Sequence, residues 1–346
     1  MKVVPCRGNA WDSVAIKTDS GPFLYGAAFF YCLPQIVEVF MRKIRTMILV
    51  AMIVVVGMVI RKELQTIHSQ PAIPDKPQRI LSFAPSVTET LHAMGLGERI
   101  VGVTQFCTWP PEVSRLPRVA GFSDINFEAV VRCRPDLAVL PIDKTANAEA
   151  LENLGIPVLT LDTRSLQGFL QDLTRLGVVT GRYKEAEVII NSFHGALATA
   201  RQRAKGVQRP RVLFSIMHSY QGLGYIDEIN AIGRDGFYNE LIEAAGGDNV
   251  YDGQLAFPRL SREAIIFLNP DVIIDVIPTG ENLAEIKQDW ESLHNVSAIR
   301  NGQLYFLTDV ADTVPGPRSV QTLEHLSRAF YPQSSHLTAS DKGILP

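Results

Sequence analysis

The segment GFSDINFEAVVRCRPDL, Gly121 to Leu137, decides the fold, because the chain writes it a second time as FPRLSREAIIFLNPDV, Phe257 to Val272. At a constant offset of 135 residues, Phe122, Glu128, Ala129, Pro135 and Asp136 meet Phe257, Glu263, Ala264, Pro270 and Asp271, and four further positions exchange one aliphatic residue for another. Five identities in sixteen positions exceed the roughly one expected from average residue usage. Each copy spells the same physical object. A cap residue (Asn126 or Ser261) precedes an acid in the first helical turn, aliphatic residues follow, and Pro-Asp closes the helix ahead of an apolar run, LAVLPI or VIIDVI. The cap side chain accepts an orphan amide proton, the Glu favours the positive end of the helix dipole, and proline stops the helix. A short helix feeding a buried strand is therefore predicted twice.

Apolar runs without alternation, joined by helices, are what a parallel sheet covered on both faces requires. The expected fold class is α/β: two Rossmann-like lobes with parallel sheets joined by a single long α-helix. A second echo supports the duplication, since ETLHAMG ending at Gly95 and ELIEAAG ending at Gly246 align at an offset of 151, both as helix ends closed by glycine.

With 346 residues the chain has room for two ordinary domains, and 46% hydrophobic with 20% charged residues is soluble composition. A net charge of -3, with no basic run or aromatic-basic interleave in the body of the chain, gives no sign of a nucleic-acid partner, and none is expected. The local departure is MRKIRT from Met41, followed by the apolar run Met47 to Ile60 and then Arg61, Lys62 and Glu63. A basic flank before such a run is the shape of an export signal. Its 14 residues cover about 21 Å, so a full span of the ~30 Å hydrocarbon core would have to recruit Ile44, Thr46 and snorkelling basic side chains. No small-x-small cleavage site and no lipid-accepting cysteine follow it, which favours an uncleaved anchor through residues 44–60 over a cleaved signal. The segment before Met41 is apolar but broken by Pro34, and translation is expected to begin at Met41.

The expected organisation is a 1–40 extension, a 41–62 signal or anchor, a 63–78 proline-rich tether, a 79–181 first lobe, a 182–206 interlobe helix, a 207–333 second lobe and a 334–346 disordered tail. Ser86 and Glu89 stand in capping-box spacing at the first helix. The interlobe helix is placed at Lys184 to Lys205, closed by Gly206. Cys6, Cys32, Cys107 and Cys133 make no metal spacing; Cys133 reads as a core residue, and a Cys107–Cys133 pairing stays open.

Ligands of open parallel sheets bind outside the carboxyl ends of the strands. The residues falling there are Pro85, Trp109, Phe122 and Asp143 in the first lobe, and His218, Tyr220, Tyr225, Phe257, Asp309 and Arg318 in the second. Aromatic residues dominate, which suits gripping a large flat ligand through ring faces better than bond-breaking. Phe122 and Phe257 also fit as staples packing helix entries, and His218 as an ordinary hydrogen-bonded histidine. HExxH, Walker and GxSxG patterns are missing, and Gly95-Leu96-Gly97 follows a helix where a dinucleotide fingerprint would follow a strand. No catalytic residue, protein-borne cofactor or metal set is named.

RILSFAPSVTETLHAMGLGERIVGVTQFCTWPPE from Arg79, with NFEAVVRCRPDLAV from Asn126, resembles the periplasmic substrate-binding proteins of ABC importers for cobalamin and ferric siderophores. The resemblance covers about Arg79 to Tyr331. It implies two α/β lobes bridged by one helix, a ligand held in the cleft with little hinge closure, and no enzymatic activity. It also implies that Trp109, Phe122 and Phe257 contact ligand and that Glu128 and Glu263, one per lobe, dock to arginines of a membrane permease. A two-fold permease needs two equivalent charges on a symmetric pair of lobes. Phe at both cleft positions departs from the larger aromatics of the family, and His218, Tyr220 and Tyr225 could ligate cobalt or iron or contact a siderophore. The expected function is an exported, monomeric receptor that delivers a cobalt or iron chelate (cobalamin, ferric siderophore or haem) to an ABC permease and ATPase complex. The rivals are a two-lobed group-transfer enzyme using Asp143 and Asp309, and an anchored sensor without a transporter.

Overall fold

The computed structural model describes residues 41–61, 71–121, 124–218, 224–277, 281–331 and 344–345. The chain divides into two units, residues 1–69 and 70–346. In the first, α1 (Met41–Arg61) is a 21-residue helix of mean hydropathy 2.3 with no buried face. It extends the apolar run backwards through Ile44 and Thr46, whose hydroxyl donates to the Arg42 carbonyl at 2.9 Å, to a length of about 32 Å. That matches a bilayer core by length and composition. Residues 1–40, the segment ahead of the expected start at Met41, lie outside the described residues.

The second unit begins with β1 (Ile80–Ser82), α2 (Pro85–Ala93), β2 (Ile100–Thr104), β3 (Arg118–Ala120), α3 (Phe127–Cys133), β4 (Leu137–Pro141), α4 (Thr145–Asn153), β5 (Val158–Leu161) and α5 (Leu166–Thr180). The five strands form a sheet in the order β3-β2-β1-β4-β5, parallel throughout. The bridging helix α6 (Tyr183–Arg203) follows. Then come β6 (Arg211–His218), β7 (Glu228–Ala231), α7 (Phe237–Ala244), β8 (Asp248–Asn249), β9 (Arg259–Ser261), α8 (Arg262–Leu268), β10 (Val272–Val276), α9 (Leu283–Glu291), α10 (Ser297–Arg300), β11 (Leu304–Leu307), α11 (Ser319–Phe330) and β12 (Ile344–Leu345).

The second sheet runs β12-β11-β10-β6-β7-β9, with β8 beside the start of β6. Its centre is parallel as expected, but β7 and β9 extend it through antiparallel pairings, with β9 at the edge. Their short sequences, EINA and RLS, carry no apolar run to announce them. The C-terminal tail, expected to be disordered, contributes β12, paired in parallel with Phe306 and Leu307.

The repeat becomes the same object in both sheets. The Asn126 side chain accepts from the Ala129 amide at 3.0 Å and Ser261 from the Ala264 amide at 3.4 Å. α3 and α8 then end on left-handed residues, Arg134 (φ 47°) and Asn269 (φ 42°), each forced out of the helical region by the proline that follows. The aspartate after that proline does more than turn the chain. Asp136 accepts from the Gln78 and Arg79 amides at 2.7 and 2.8 Å, and Asp271 from the Arg211 amide at 3.0 Å. Each aspartate therefore ties the first strand of its sheet to the strand it precedes, which sets the registers Ile80↔Leu137 and Val212↔Val272.

The capping box read at Ser86 and Glu89 does not form. α2 starts one residue earlier, at Pro85, with Ala84 as a cap that offers no side-chain acceptor. Proline suits a first helical position because its φ is already helical and it has no amide to satisfy. Glu89 is thereby released for another partner. Cys107 and Cys133 are both free and buried, so no disulfide joins them. Burial pushes the Cys133 thiol up, against the opposing pull of Arg79 and Arg132.

One apolar core runs through both lobes. Ile80, Leu137, Phe169, Phe193, Phe214, Ile274 and Leu326 belong to a single buried cluster that passes from the first sheet through α5 and α6 to the second. The outer faces of the two sheets carry cores of their own. Phe169 of α5 stands edge-on to Phe193 of α6 at 5.8 Å and to Phe237 of α7 at 6.1 Å, a stitch of T-shaped contacts each worth about 1 kcal/mol beyond the area buried.

Candidate functional site

The carboxyl ends of β1 and β11 lead into α2 and α11, and these two helices meet between the lobes. Arg318 caps the start of α11. Its Nε and Nη2 donate to the two carboxylate oxygens of Glu89 on α2 at 2.9 and 2.7 Å, and its Nη1 to Asp309 at 3.2 Å. Glu89 is only 2% exposed. A planar guanidinium matches a carboxylate with two parallel hydrogen bonds, so the pair fixes orientation as well as charge. Burial works against the charge on Arg318, but Glu89 and Asp309 outweigh it and raise the arginine above its ordinary value.

Trp109 completes this corner. It stands on the proline loop after β2, ahead of a cis bond to Pro110, and is 36% exposed. Its ring meets His92 edge-on at 5.8 Å, and the guanidinium carbon of Arg318 lies 4.4 Å from the ring centre. The result is a partly exposed aromatic ring with a fixed cation over one face. Among the described residues, the buried Tyr238 hydroxyl of α7 has no hydrogen-bond partner; burial first, then the negative charges of Asp312 and Glu89, raise it well above the ordinary tyrosine range. Asp312 accepts from Thr322 at 2.7 Å and faces His325 Nδ1 at 3.5 Å.

A second joint lies at α5 and α7. Glu240 accepts the Leu166 amide, the first of α5, at 3.0 Å. Burial raises the Glu240 carboxyl, in spite of the amides of Leu166 and Gln167.

Of the residues expected at the site, the structure brings Trp109 and Arg318 into contact. Tyr225 and Phe257 are exposed residues of the second lobe, Phe257 two residues ahead of β9. His218 ends β6, pairing there with Ile229, and its side chain lies outside the described residues, as do Phe122 and Tyr220. Asp143 is exposed, and Asp309 is an ion-pair partner of Arg318. Pro85 begins α2. Among the described residues, no group of three or more His, Cys, Asp or Glu is placed to hold a metal ion.

Glu128 and Glu263 both sit exposed in the first turn of their helices. Glu128 pairs with Arg132 at 2.5 Å, while Glu263 accepts from the Ser261 hydroxyl at 2.8 Å. That hydrogen bond is the main cause of a Glu263 carboxyl held below its usual range. One turn further on, Val131 and Ile266 expose matched aliphatic side chains, and Phe267 beside Ile266 is 87% exposed.

Reading the residues one at a time missed Glu89 and Glu240. The signal was present, because the echoed sequences ETLHAMG and ELIEAAG each begin on one of these two acids.

Comparison with known proteins adds the family. The model of the family described as periplasmic binding protein matches residues 80–311. An uncharacterized ABC transporter substrate-binding lipoprotein of Bacillus subtilis is 28% identical over 267 residues, covering 76% of this chain and 82% of the relative. A vitamin B12-binding protein of Pectobacterium carotovorum is 25% identical over 233 residues, with 66% of this chain and 82% of the relative covered. Among solved structures, a periplasmic heme binding protein from Pseudomonas aeruginosa matches with a TM-score of 0.63 at 25% identity, covering 77% of this chain and 97% of that one.

Proposed function

The chain belongs to the periplasmic binding protein family, and from that premise we propose that it is the extracytoplasmic substrate-binding component of an ABC importer, capturing a cobalt or iron chelate. Relatives named for vitamin B12 and heme binding support the ligand class. The observation that carries it is the Trp109 face with Arg318 fixed against it. A flat macrocycle stacks on such a ring, and the cation suits the acidic or amide groups at its rim. No bond-breaking step is assigned: Asp309, one of the two acids an enzyme reading would use, is engaged by Arg318.

In this reading α1 holds the protein to the membrane after export, with residues 63–78 as tether. Glu128 and Glu263 dock to cationic side chains of a two-fold permease, with Val131 and Ile266 as matched apolar neighbours. The repeat gives both lobes the same acid and the same aliphatic residue one turn on, which is what a partner with two equivalent faces would meet.

The test is calorimetric titration of the full chain in detergent micelles with cyanocobalamin and, separately, haemin. One-to-one binding in the submicromolar range, weakened tenfold or more by Trp109→Ala, is expected for one of them. Binding of either that is indifferent to Trp109→Ala would remove the site; no binding of cyanocobalamin, haemin or a panel of ferric siderophores would remove the chelate class.

A further inference from the structure

Two acids never touching the exposed ring face hold the lobes together in matching ways. Glu89 opens the ETLHAMG segment of α2, and Glu240 opens the ELIEAAG segment of α7; both segments end on left-handed glycines, Gly95 at φ 70° and Gly246 at φ 93°. α2 and α7 occupy corresponding places, each the first long helix of its lobe, and α5 and α11 correspond as the last. Glu89 of the first lobe binds Arg318 at the start of α11 in the second. Glu240 of the second lobe binds the Leu166 amide at the start of α5 in the first. The relation is reciprocal: each lobe's first helix reaches with an acid to the N-terminal turn of the other lobe's last helix.

The backbones converge at the same two places. A Cβ at Gly316, two residues ahead of Arg318, would stand 3.7 Å from the Ser86 carbonyl oxygen, and one at Gly236, which caps α7, 3.8 Å from that of Arg164. An anion suits both targets, since a helix start offers free amides and a positive dipole end. The chemistry differs in one respect. Glu240 takes the amide directly, whereas Glu89 takes the guanidinium of the capping residue and so also determines where that guanidinium lies over Trp109.

We propose that Glu89 and Glu240 are a two-fold-related pair of positioning residues that together fix the opening between the lobes, with Glu89 holding Arg318 on the face of Trp109. α6 and the shared core connect the lobes; the two acids set the angle at which they stand. This does not depend on the identity of the ligand.

The experiment uses the full chain in detergent micelles, with ketone-bearing residues placed at exposed positions 131 and 267, one per lobe, and spin-labelled there. Pulsed electron resonance then reads the interlobe distance distribution. The Glu89→Gln/Glu240→Gln double variant should broaden it at least twofold, with each single variant intermediate; a double variant as narrow as the unsubstituted chain overturns the proposal. Should the double variant not fold, the single variants decide through local probes. In 5-fluorotryptophan-labelled protein, Glu89→Gln should shift the Trp109 resonance and Glu240→Gln should not. Exchange of the Leu166 amide should quicken tenfold or more in Glu240→Ala, which leaves no acceptor where glutamine would keep one, and not in Glu89→Gln. General loosening would move both probes in both variants, and that outcome, like no movement in either, overturns the assignment.

Discussion

The guanidinium carbon of Arg318 lies 4.4 Å from the centre of the Trp109 ring while two of its nitrogens bond the carboxylate of Glu89. One side chain thus serves both a surface that can receive a ligand and a buried joint between two lobes. Arg318→Ala removes one member of a buried pair and leaves Glu89 charged and alone, which costs about 3 to 5 kcal/mol in stability. Urea unfolding in detergent micelles measures this; a loss under about 1 kcal/mol would mean that the pair behaves like a surface ion pair.

Asn126→Ala and Ser261→Ala each remove a helix cap that accepts an amide. Each should cost about 1 kcal/mol. The two caps start helices of different lobes, α3 and α8, and accept from different amides, so their costs should add to within ~0.5 kcal/mol. Unfolding midpoints of the single and double variants check this, and a double variant no weaker than either single would contradict it.

Two glutamates should titrate on opposite sides of the ordinary value. Burial raises Glu240, so between the ordinary value and its own the folded chain keeps a proton that the unfolded chain has released, and stability falls as pH rises through that window. The Ser261 hydroxyl lowers Glu263, which contributes stability above the ordinary value and loses it as pH falls through its own. Carboxyl-carbon NMR titration should find Glu240 protonating before Glu263 on acidification. Ser261→Ala should raise Glu263 towards the ordinary value and leave Glu240 in place; the reverse order of protonation would refute both causes.

Glu128→Arg and Glu263→Arg place the wrong charge on exposed helix turns, where the acids pair with Arg132 and Ser261 and stand apart in the chain from Trp109 and Arg318. Ligand affinity should be unchanged within about twofold. Uptake into vesicles carrying a permease that accepts the unsubstituted chain should fall at least tenfold, the order expected from opposing like charges at a contact. Unchanged uptake would free both acids from the docking role.

What could be read from the residues was what local chemistry determines. Caps, proline stops and uninterrupted apolar runs announced α3, α8, β4 and β10, because each signal and its effect lie within a few residues. Glu89 was misassigned for the same reason: Ser-x-x-Glu offered a local explanation, while its true partner lies 229 residues further along the chain. β7 and β9 are short, semi-exposed strands at one side of the second sheet, recognisable only by the neighbours they pair with. Trp109 and Arg318 were each placed at strand ends from sequence, but their contact depends on how two lobes meet, which no spacing encodes.

The cluster that passes from Ile80 through Phe193 to Leu326 makes the hinge region a packed interior. Widely parting the lobes would expose that interior to water, so the molecule has little room to announce by its outline whether it is carrying anything. A partner sensing the difference would have to feel the cargo itself, or small changes in stiffness, where a freely closing clamshell would present a new shape.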